Sequence, residues 1–233
     1  MTSSTSADAL VLCEGAARTY GHGSTATVAL QPTDCVIRPG DGVALMGPSG
    51  SGKSTLLHLM AGLDDPTVGT VSWPGIGLRD SLRPGPVAVI FQGPSLLPPL
   101  TVEQNVALPL ILGGAAHGRA HLAARDALER LALLELADKL PEEISGGQAQ
   151  RVAVARALAG EPTLILADEP TGQLDRTSGA AVVDVLLAAA AHAGAALVVA
   201  THDPTVAERL PEVCEMHSGR LTTTRPKEAA WSR

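Results

Sequence analysis

One short stretch constrains the fold of this chain more than any other part of its sequence. It reads Gly47-Pro48-Ser49-Gly50-Ser51-Gly52-Lys53-Ser54, which matches the pattern G-x-x-x-x-G-K-[ST]. The apolar residues 43–46 precede it as a predicted strand, and residues 54–62 follow it as a predicted helix. Glycines let successive backbone N–H groups point at phosphate oxygens, and the positive end of the helix dipole adds to them. The sequence therefore predicts a strand–loop–helix unit that binds a chain of phosphates.

Individual residues of this region have distinct expected roles. Lys53 is expected to reach the β- and γ-phosphates, the Ser54 hydroxyl is expected to ligate Mg²⁺, and Thr55 belongs to the same nucleotide site. A second apolar strand, residues 163–167, leads into Asp168 and Glu169. A buried strand can hold Asp168 beside the metal through water, and Glu169 can orient and polarise an attacking water. These two motifs predict a nucleotide hydrolase or a phosphoryl-transfer enzyme, and they do not choose between them.

Composition excludes several other classes of protein. The 233 residues suit one large α/β domain, and 45% hydrophobic residues suffice for a core. A net charge of −7 argues against nucleic-acid binding. Three distant cysteines without a Cys-x-x-Cys pair predict reduced, partly buried thiols. Residues 1–9 lack the pattern of a signal peptide, and the apolar residues 180–200 are interrupted by polar residues and predict a helix and a strand instead of a membrane span.

The alternation of apolar runs and helical stretches predicts a single α/β domain, residues 1–233, with an inserted subdomain. Residues 43–46, 86–91, 163–167 and 196–200 predict strands of a mainly parallel sheet. Residues 10–14 and 28–37 predict an antiparallel flank, and residues 213–223 a late hairpin. We expect an α/β core over 10–91 and 148–223, a helical subdomain over 92–147 with a helix near 120–136, and loose ends over 1–9 and 224–233.

The stretch Ser145-Gly146-Gly147-Gln148 decides the class. Ser145 and Gln148 fit a capping box at the start of a helix that we expect to run to about residue 159. With the phosphate loop before it and Asp168-Glu169 after it, the chain resembles the ABC ATPase family over residues 10–223. The family usually has Leu where this chain has Ile144. The resemblance implies a P-loop NTPase core, ATP and Mg²⁺ as ligands, and hydrolysis of ATP.

The resemblance also implies a symmetric dimer around two ATP molecules. A capped helix start with two glycines offers N–H groups to an anion, which in the family is the γ-phosphate held by the other subunit. Ser145, Gly146, Gly147 and Gln148 should therefore complete the site of the partner, and Asp175 should cross the same interface. The other matching positions are Tyr20 for adenine stacking, Gln92 for Mg²⁺ or the attacking water, and His202 for the γ-phosphate.

Finer features resemble the lipoprotein-releasing and macrolide-export group of this family. They include residues 19–23, 62–69, 96–110 and 167–172. The group implies a separate membrane permease, a homodimer at the cytoplasmic face of the membrane, and an exporter or a mechanotransmission machine. Gln104 replaces a usual Glu, Gln173 replaces a frequent Asn, and residues 73–89 form a shorter segment than usual.

Three other classes share part of this pattern. ABC proteins of DNA repair carry a long coiled coil and those of translation carry two cassettes, and this sequence has neither. A P-loop kinase would not need residues 145–148 or His202. A regulatory relative that only binds ATP would share every motif, and steady ATP turnover would distinguish it.

Overall fold

The structure, a computed structural model, describes residues 8–224, with side chains described as far as residue 222. Of the predicted loose ends, residues 1–7 and 225–233 lie outside the described residues. In chain order, the strands and helices are β1 (Val11–Tyr20), β2 (Thr27–Ile37), β3 (Gly42–Met46), α1 (Lys53–Met60), β4 (Val68–Ser72), β5 (Val87–Ile90), α2 (Val102–Leu112), α3 (His117–Arg130), α4 (Gly146–Leu158), β6 (Leu164–Asp168), α5 (Arg176–Ala193), β7 (Ala196–Thr201), α6 (Pro204–Ala207), β8 (Glu212–His217) and β9 (Arg220–Thr224).

The chain divides into two compact units. The first unit comprises Met1–Leu82 and Ala196–Arg233, and the second comprises Arg83–Ala195. The bounds predicted from the sequence for the core and the helical subdomain remain a prediction. The α/β fold with parallel and antiparallel strands is confirmed.

The first unit contains two groups of strands. An antiparallel sheet has the order β2-β1-β4, and a second group has β3 between β7 and β8, both parallel to it, with β9 antiparallel to β8. Every residue of β7 is buried and β3 is buried over its first four residues, as expected for strands covered on both faces. The predicted flank and late hairpin are confirmed, whereas β4 was not predicted, because its mostly exposed residues show no apolar run.

The helix α1 and the thiols of the first unit agree with the sequence. The helix begins at Lys53 and ends at Met60, where the Trp73 indole donates a hydrogen bond of 2.7 Å to the Met60 carbonyl. Cys13, Cys35 and Cys214 are free thiols, the first and last of them buried and Cys35 half-buried.

The second unit combines a parallel pair of strands, β5 and β6, with four helices. Between residues 92 and 147, all of which are described, there is no strand, as the sequence predicts. The helix predicted over 120–136 is too long at its C-terminus: α3 ends at Arg130, and a separate 3₁₀ turn covers Leu134–Leu136. The reason is Ala132, whose φ of 52° is left-handed and cannot continue an α-helix.

A single buried amide organises the proline-rich loop before α2. Asn105 is fully buried; its Oδ1 accepts a hydrogen bond from the Leu97 backbone N–H at 2.7 Å. Its Nδ2 donates to the carbonyls of Leu97, Leu100 and Thr101 at 3.1, 2.9 and 3.0 Å. The loop therefore keeps a fixed shape although it belongs to no helix or strand.

The apolar stretch over residues 180–200 divides as the sequence predicts. It becomes the C-terminal part of α5 and most of β7, separated by Gly194, whose φ is 62°. Among the helices of residues 8–224, none is long and apolar enough to cross a membrane.

Candidate functional site

The phosphate-binding loop predicted between β3 and α1 is built around glycines. Gly50 and Gly52 have φ values of 76° and 102°, in the region that favours glycine. A Cβ on Gly52 would lie 2.5 Å from the Ala29 carbonyl oxygen, and one on Gly47 would collide with the Met216 carbonyl oxygen. Neighbouring backbone thus fixes a curled loop, and this shape fits a chain of phosphates.

Lys53 occupies the inside of this loop. Its side chain is only 6% exposed, and its Nζ donates hydrogen bonds to the carbonyls of Gly47 at 2.8 Å and Pro48 at 3.1 Å. Ser54 is exposed and Thr55 half-buried in the first turn of α1. Ser49 is exposed in the loop, and the Ser51 hydroxyl is buried without a hydrogen-bond partner in the described part of the chain.

The first unit brings His202 beside the loop. Strands β3 and β7 pair Met46 with Thr201, and the Gly47 N–H donates to the Thr201 carbonyl at 3.3 Å. His202 follows directly, is exposed, and lines an open cavity with Gly47 and Pro48. A residue far from the loop in sequence therefore reaches it because the carboxyl ends of parallel strands meet at one edge.

Tyr20 ends β1 in a network of three side chains that sequence analysis did not predict. Its hydroxyl donates to Asp64 Oδ2 at 2.7 Å, and the Arg18 guanidinium lies 4.7 Å from the centre of its ring. Arg18 also pairs with Asp64 Oδ1 at 2.7 Å. Partial burial opposes ionisation of Asp64, but the hydrogen bonds from Tyr20 and the Asp65 N–H and the charge of Arg18 outweigh it, so the pKa of Asp64 is lowered. The ring is 40% exposed and is held in one orientation.

In the second unit, Asp168 is the last residue of β6 and fits a metal-binding role. It is 7% exposed, and its Oδ1 is buried with no hydrogen-bond partner among the described residues. A buried carboxylate oxygen without a donor is costly unless a cation or a metal-bound water satisfies it. Strand β5 pairs Ile90 with Ala167, so Gln92, two residues after Ile90, leaves the sheet at the same edge as Asp168.

Glu169 has a strained backbone. Its φ is 47°, a left-handed value that costs a residue with a Cβ about 1–3 kcal/mol, and its side chain is 9% exposed. Such conformations persist only where the surrounding structure imposes them, and they cluster at functional sites. The sequence predicted the role of Glu169 but carried no signal for its conformation.

The start of α4 confirms the predicted capping box. The Gln148 N–H donates to Ser145 Oγ at 3.2 Å, and the Ser145 N–H donates to Gln148 Oε1 at 2.8 Å. Ser145 and Gly146 are exposed, and nothing within 4 Å would meet a Cβ on Gly146. The helix thus begins in an exposed tip formed by Ser145 and Gly146.

The segment after Glu169 lies beside this tip. A Cβ on Gly147 would lie 3.3 Å from Leu174 Cδ2. Asp175, the next residue, caps α5: its Oδ1 accepts hydrogen bonds from the Thr177 and Ser178 N–H groups, both at 3.0 Å. The hydrogen bonds from Ser178 and Thr177 lower the pKa of this exposed carboxyl. Its predicted place at a dimer interface remains a prediction.

Each unit thus assembles its own set of predicted residues. The first unit groups the phosphate loop with His202, and Tyr20 lies in its own network. The second unit places Gln92 and Asp168 at the ends of paired strands and places Gly147 near Leu174. Sequence reasoning missed the side chains of Arg18 and Asp64, which hold Tyr20.

Comparisons with known proteins agree with this arrangement of motifs. A family model described as ABC transporter matches residues 30–172. An uncharacterized ABC transporter ATP-binding protein of Mycobacterium tuberculosis strain H37Rv is 41% identical over 210 residues, 87% of this chain and 85% of that protein. The lipoprotein-releasing system ATP-binding protein LolD of Legionella pneumophila strain Lens is 41% identical over 211 residues, 88% of this chain and 93% of that protein.

A solved structure is similar over nearly its whole length. It is the dimeric, post-hydrolysis state of the ATP-binding cassette MJ0796 with ADP and phosphate bound. The TM-score is 0.83 at 36% identity, and the match covers 92% of this chain and 99% of that one.

Proposed function

We propose, on the premise that this chain belongs to the ABC transporter family, that two copies of it close around two ATP molecules and drive a separate membrane permease. The chain is an ATPase that takes ATP with Mg²⁺. Bound Mg²⁺ supplies positive charge to the phosphate oxygens. Ser54, Gln92 and Asp168 are the residues that would hold it.

The phosphate loop binds the triphosphate with its backbone N–H groups and with Lys53. The Lys53 ammonium donates hydrogen bonds to the carbonyls of Gly47 and Pro48. Phosphate oxygens carry more negative charge than these carbonyls, so the ammonium turns to the β- and γ-phosphates when ATP enters. The Tyr20 ring stacks on the adenine, with its orientation fixed by Asp64 and Arg18.

Hydrolysis depends on residues at the ends of buried strands. Glu169, the residue that follows β6, orients and polarises the attacking water. His202, beside the loop, donates to the γ-phosphate, and Gln92 contacts the water or the metal. Asp168, whose buried Oδ1 has no hydrogen-bond partner among the described residues, would accept the cation or a water bound to it.

The exposed tip of α4 is the observation on which the dimer proposal rests. A capping box holds Ser145 and Gln148, while the exposed Gly146, which has no side chain, gives an anion access to the positive end of a 13-residue helix. The anion is the γ-phosphate of the ATP bound by the partner subunit. ATP therefore joins the two subunits, and hydrolysis removes that contact.

The permease converts closing and opening of the dimer into transport. We place the chain at the cytoplasmic face of the membrane, where it is held by the permease. Identity of about 40% with LolD supports an exporter or a mechanotransmission machine of the lipoprotein-releasing type.

The test is the Glu169→Gln variant in size-exclusion chromatography with light scattering. With ATP it should elute as a dimer, and its turnover should fall by about 10²–10⁴-fold, the contribution of a positioned base. Glu161→Gln is a matched control, because Glu161 has the same φ of 47° but lies before β6, at the opposite end of that strand. A Glu169→Gln chain that binds ATP and stays monomeric at every ATP concentration would refute the proposal.

A further inference from the structure

Helix α4 holds the segment that carries Gln92. We call residues 91–95 the Gln92 segment. The Gln150 side chain donates from Nε2 to the Phe91 carbonyl at 3.2 Å. Arg156 donates from Nη1 to the Ser95 carbonyl at 2.9 Å, and from Nη2 to the Pro94 carbonyl at 3.3 Å and to Ser95 Oγ at 3.1 Å. Gln92 therefore lies between two attachment points on one helix.

Gln150 also reaches the residue that follows Glu169. Its Nε2 donates to the Pro170 carbonyl at 3.4 Å, and the whole residue is buried. Its Oε1 is buried without a hydrogen-bond partner among the described residues, so Nε2 alone, through its two donor contacts, connects both backbone segments to α4. One side chain thus connects the helix that begins at Gly146 with the segments that bear Gln92 and Glu169.

The Arg156 contacts impose an unusual backbone conformation. Ser95 has a φ of 42°, a left-handed value for a residue with a Cβ. Two donor contacts from a planar guanidinium hold the carbonyl and the hydroxyl of this residue. Burial lowers the pKa of Arg156, which is consistent with a guanidinium that is committed to this segment.

We propose that Gln150 and Arg156 are positioning residues that make the Gln92 segment move together with α4. This inference rests on the proposed dimer. The tip of α4 meets the nucleotide of the partner, and a 13-residue helix transmits displacement as a rigid rod. A nucleotide bound by one subunit thereby sets the position of Gln92 in the other subunit. Each ATP molecule thus positions a catalytic residue for the second ATP site of the dimer.

The first measurement does not depend on catalysis. Hydrogen–deuterium exchange of the full chain without nucleotide should show at least about tenfold faster exchange of residues 92–97 in Arg156→Gln, because the segment opens locally. Arg151→Gln is the matched control: Arg151 lies on the same helix and donates to the Leu131 carbonyl at 3.3 Å, away from the Gln92 segment. Equal exchange in the two variants would show that Arg156 does not hold the segment.

The second measurement asks whether the effect passes through Gln92. Arg156→Gln should lower kcat by about tenfold or more, since small misplacements of catalytic groups are costly, and should change the KM for ATP by less than about twofold. In a Gln92→Ala background the same substitution should lower kcat by less than about twofold. Gln150→Met should lower kcat more than Arg156→Gln does, because it also releases the segment after Glu169. Arg156→Lys should have a kcat between those of Arg156→Gln and the wild type.

The outcomes separate this inference from the proposed function. Additive losses for Arg156→Gln and Gln92→Ala, or equal losses for Arg156→Gln and Arg151→Gln, would overturn the coupling while ATP turnover by the wild-type chain stands. A wild-type chain without ATP turnover would instead remove the proposed function, and the exchange measurement would still decide whether Arg156 holds the segment.

Discussion

Replacing Tyr20 with Ala tests the assignment of the adenine site directly. Arg18 covers one face of the Tyr20 ring at 4.7 Å, so a single face remains for a base. Stacking of a base on an aromatic side chain contributes about 1–3 kcal/mol by alanine substitution. With one available face on a ring that is 40% exposed, we expect the lower part of that range, about 1–2 kcal/mol. This corresponds to an increase of about 5–30-fold in the Kd for ADP.

Titration calorimetry with ADP and with pyrophosphate separates the base from the phosphates. In Tyr20→Ala the Kd for ADP should rise by that factor, while the Kd for pyrophosphate should change by less than about twofold. Tyr20→Phe is the matched control, because it keeps the ring and loses only the hydrogen bond of 2.7 Å to Asp64. It should bind ADP nearly as the wild type does, with about 1 kcal/mol less stability.

Two results would contradict this reasoning. An unchanged Kd for ADP in Tyr20→Ala would show that the ring does not stack on adenine. Equal weakening of ADP and pyrophosphate would show that the substitution disturbs the phosphate loop instead of the base site.

Two further predictions concern binding and pH. Lys53→Ala should reduce ATP binding below detection by calorimetry, because the loop loses the ammonium that lies inside it. The control is Lys139→Ala, which removes an exposed ion pair with Glu143 and should bind ATP normally. Unchanged ATP affinity in Lys53→Ala would refute the assignment of the loop. Partial burial opposes ionisation of Glu103, but hydrogen bonds from His121 and Arg125 outweigh this effect and lower the pKa of Glu103. The ionised carboxylate therefore stabilises the fold above about pH 4, and this contribution is lost as the pH falls through the lowered pKa. Glu103→Gln should therefore lower the free energy of unfolding by about 1 kcal/mol at pH 7 and by less at pH 3, measured by urea denaturation; an equal loss at both pH values would show that charge is not involved.

The sequence predicted the local structure of two motifs of the proposed site because each of them is short. The phosphate loop lies within eight consecutive residues, and the capping box of α4 within four, so spacing alone predicts their conformations. The buried strands β3, β6 and β7 could also be predicted, because each is a short apolar run that is visible in the sequence without knowledge of the strands beside it.

The parts that escaped prediction depend on long-range contacts. Tyr20 and Asp64 are 44 residues apart, and Arg156 and Ser95 are 61 residues apart, so no local pattern connects them. The left-handed conformations of Glu169 and Ala132 are imposed by tertiary structure on residues without that preference. Propensity and periodicity carry no information about such positions.

The Asn105 amide determines how a partner would meet the proline-rich loop. Because this one side chain bonds four backbone groups between Leu97 and Thr101, the loop is already ordered before anything docks on it. A protein that binds there does not have to offset the conformational entropy of ordering this loop, so that one cost of association is absent. A partner would then bind a preformed surface. Substitution of Asn105 would remove the hydrogen bonds that order the loop, so the loop would have to become ordered each time a partner binds.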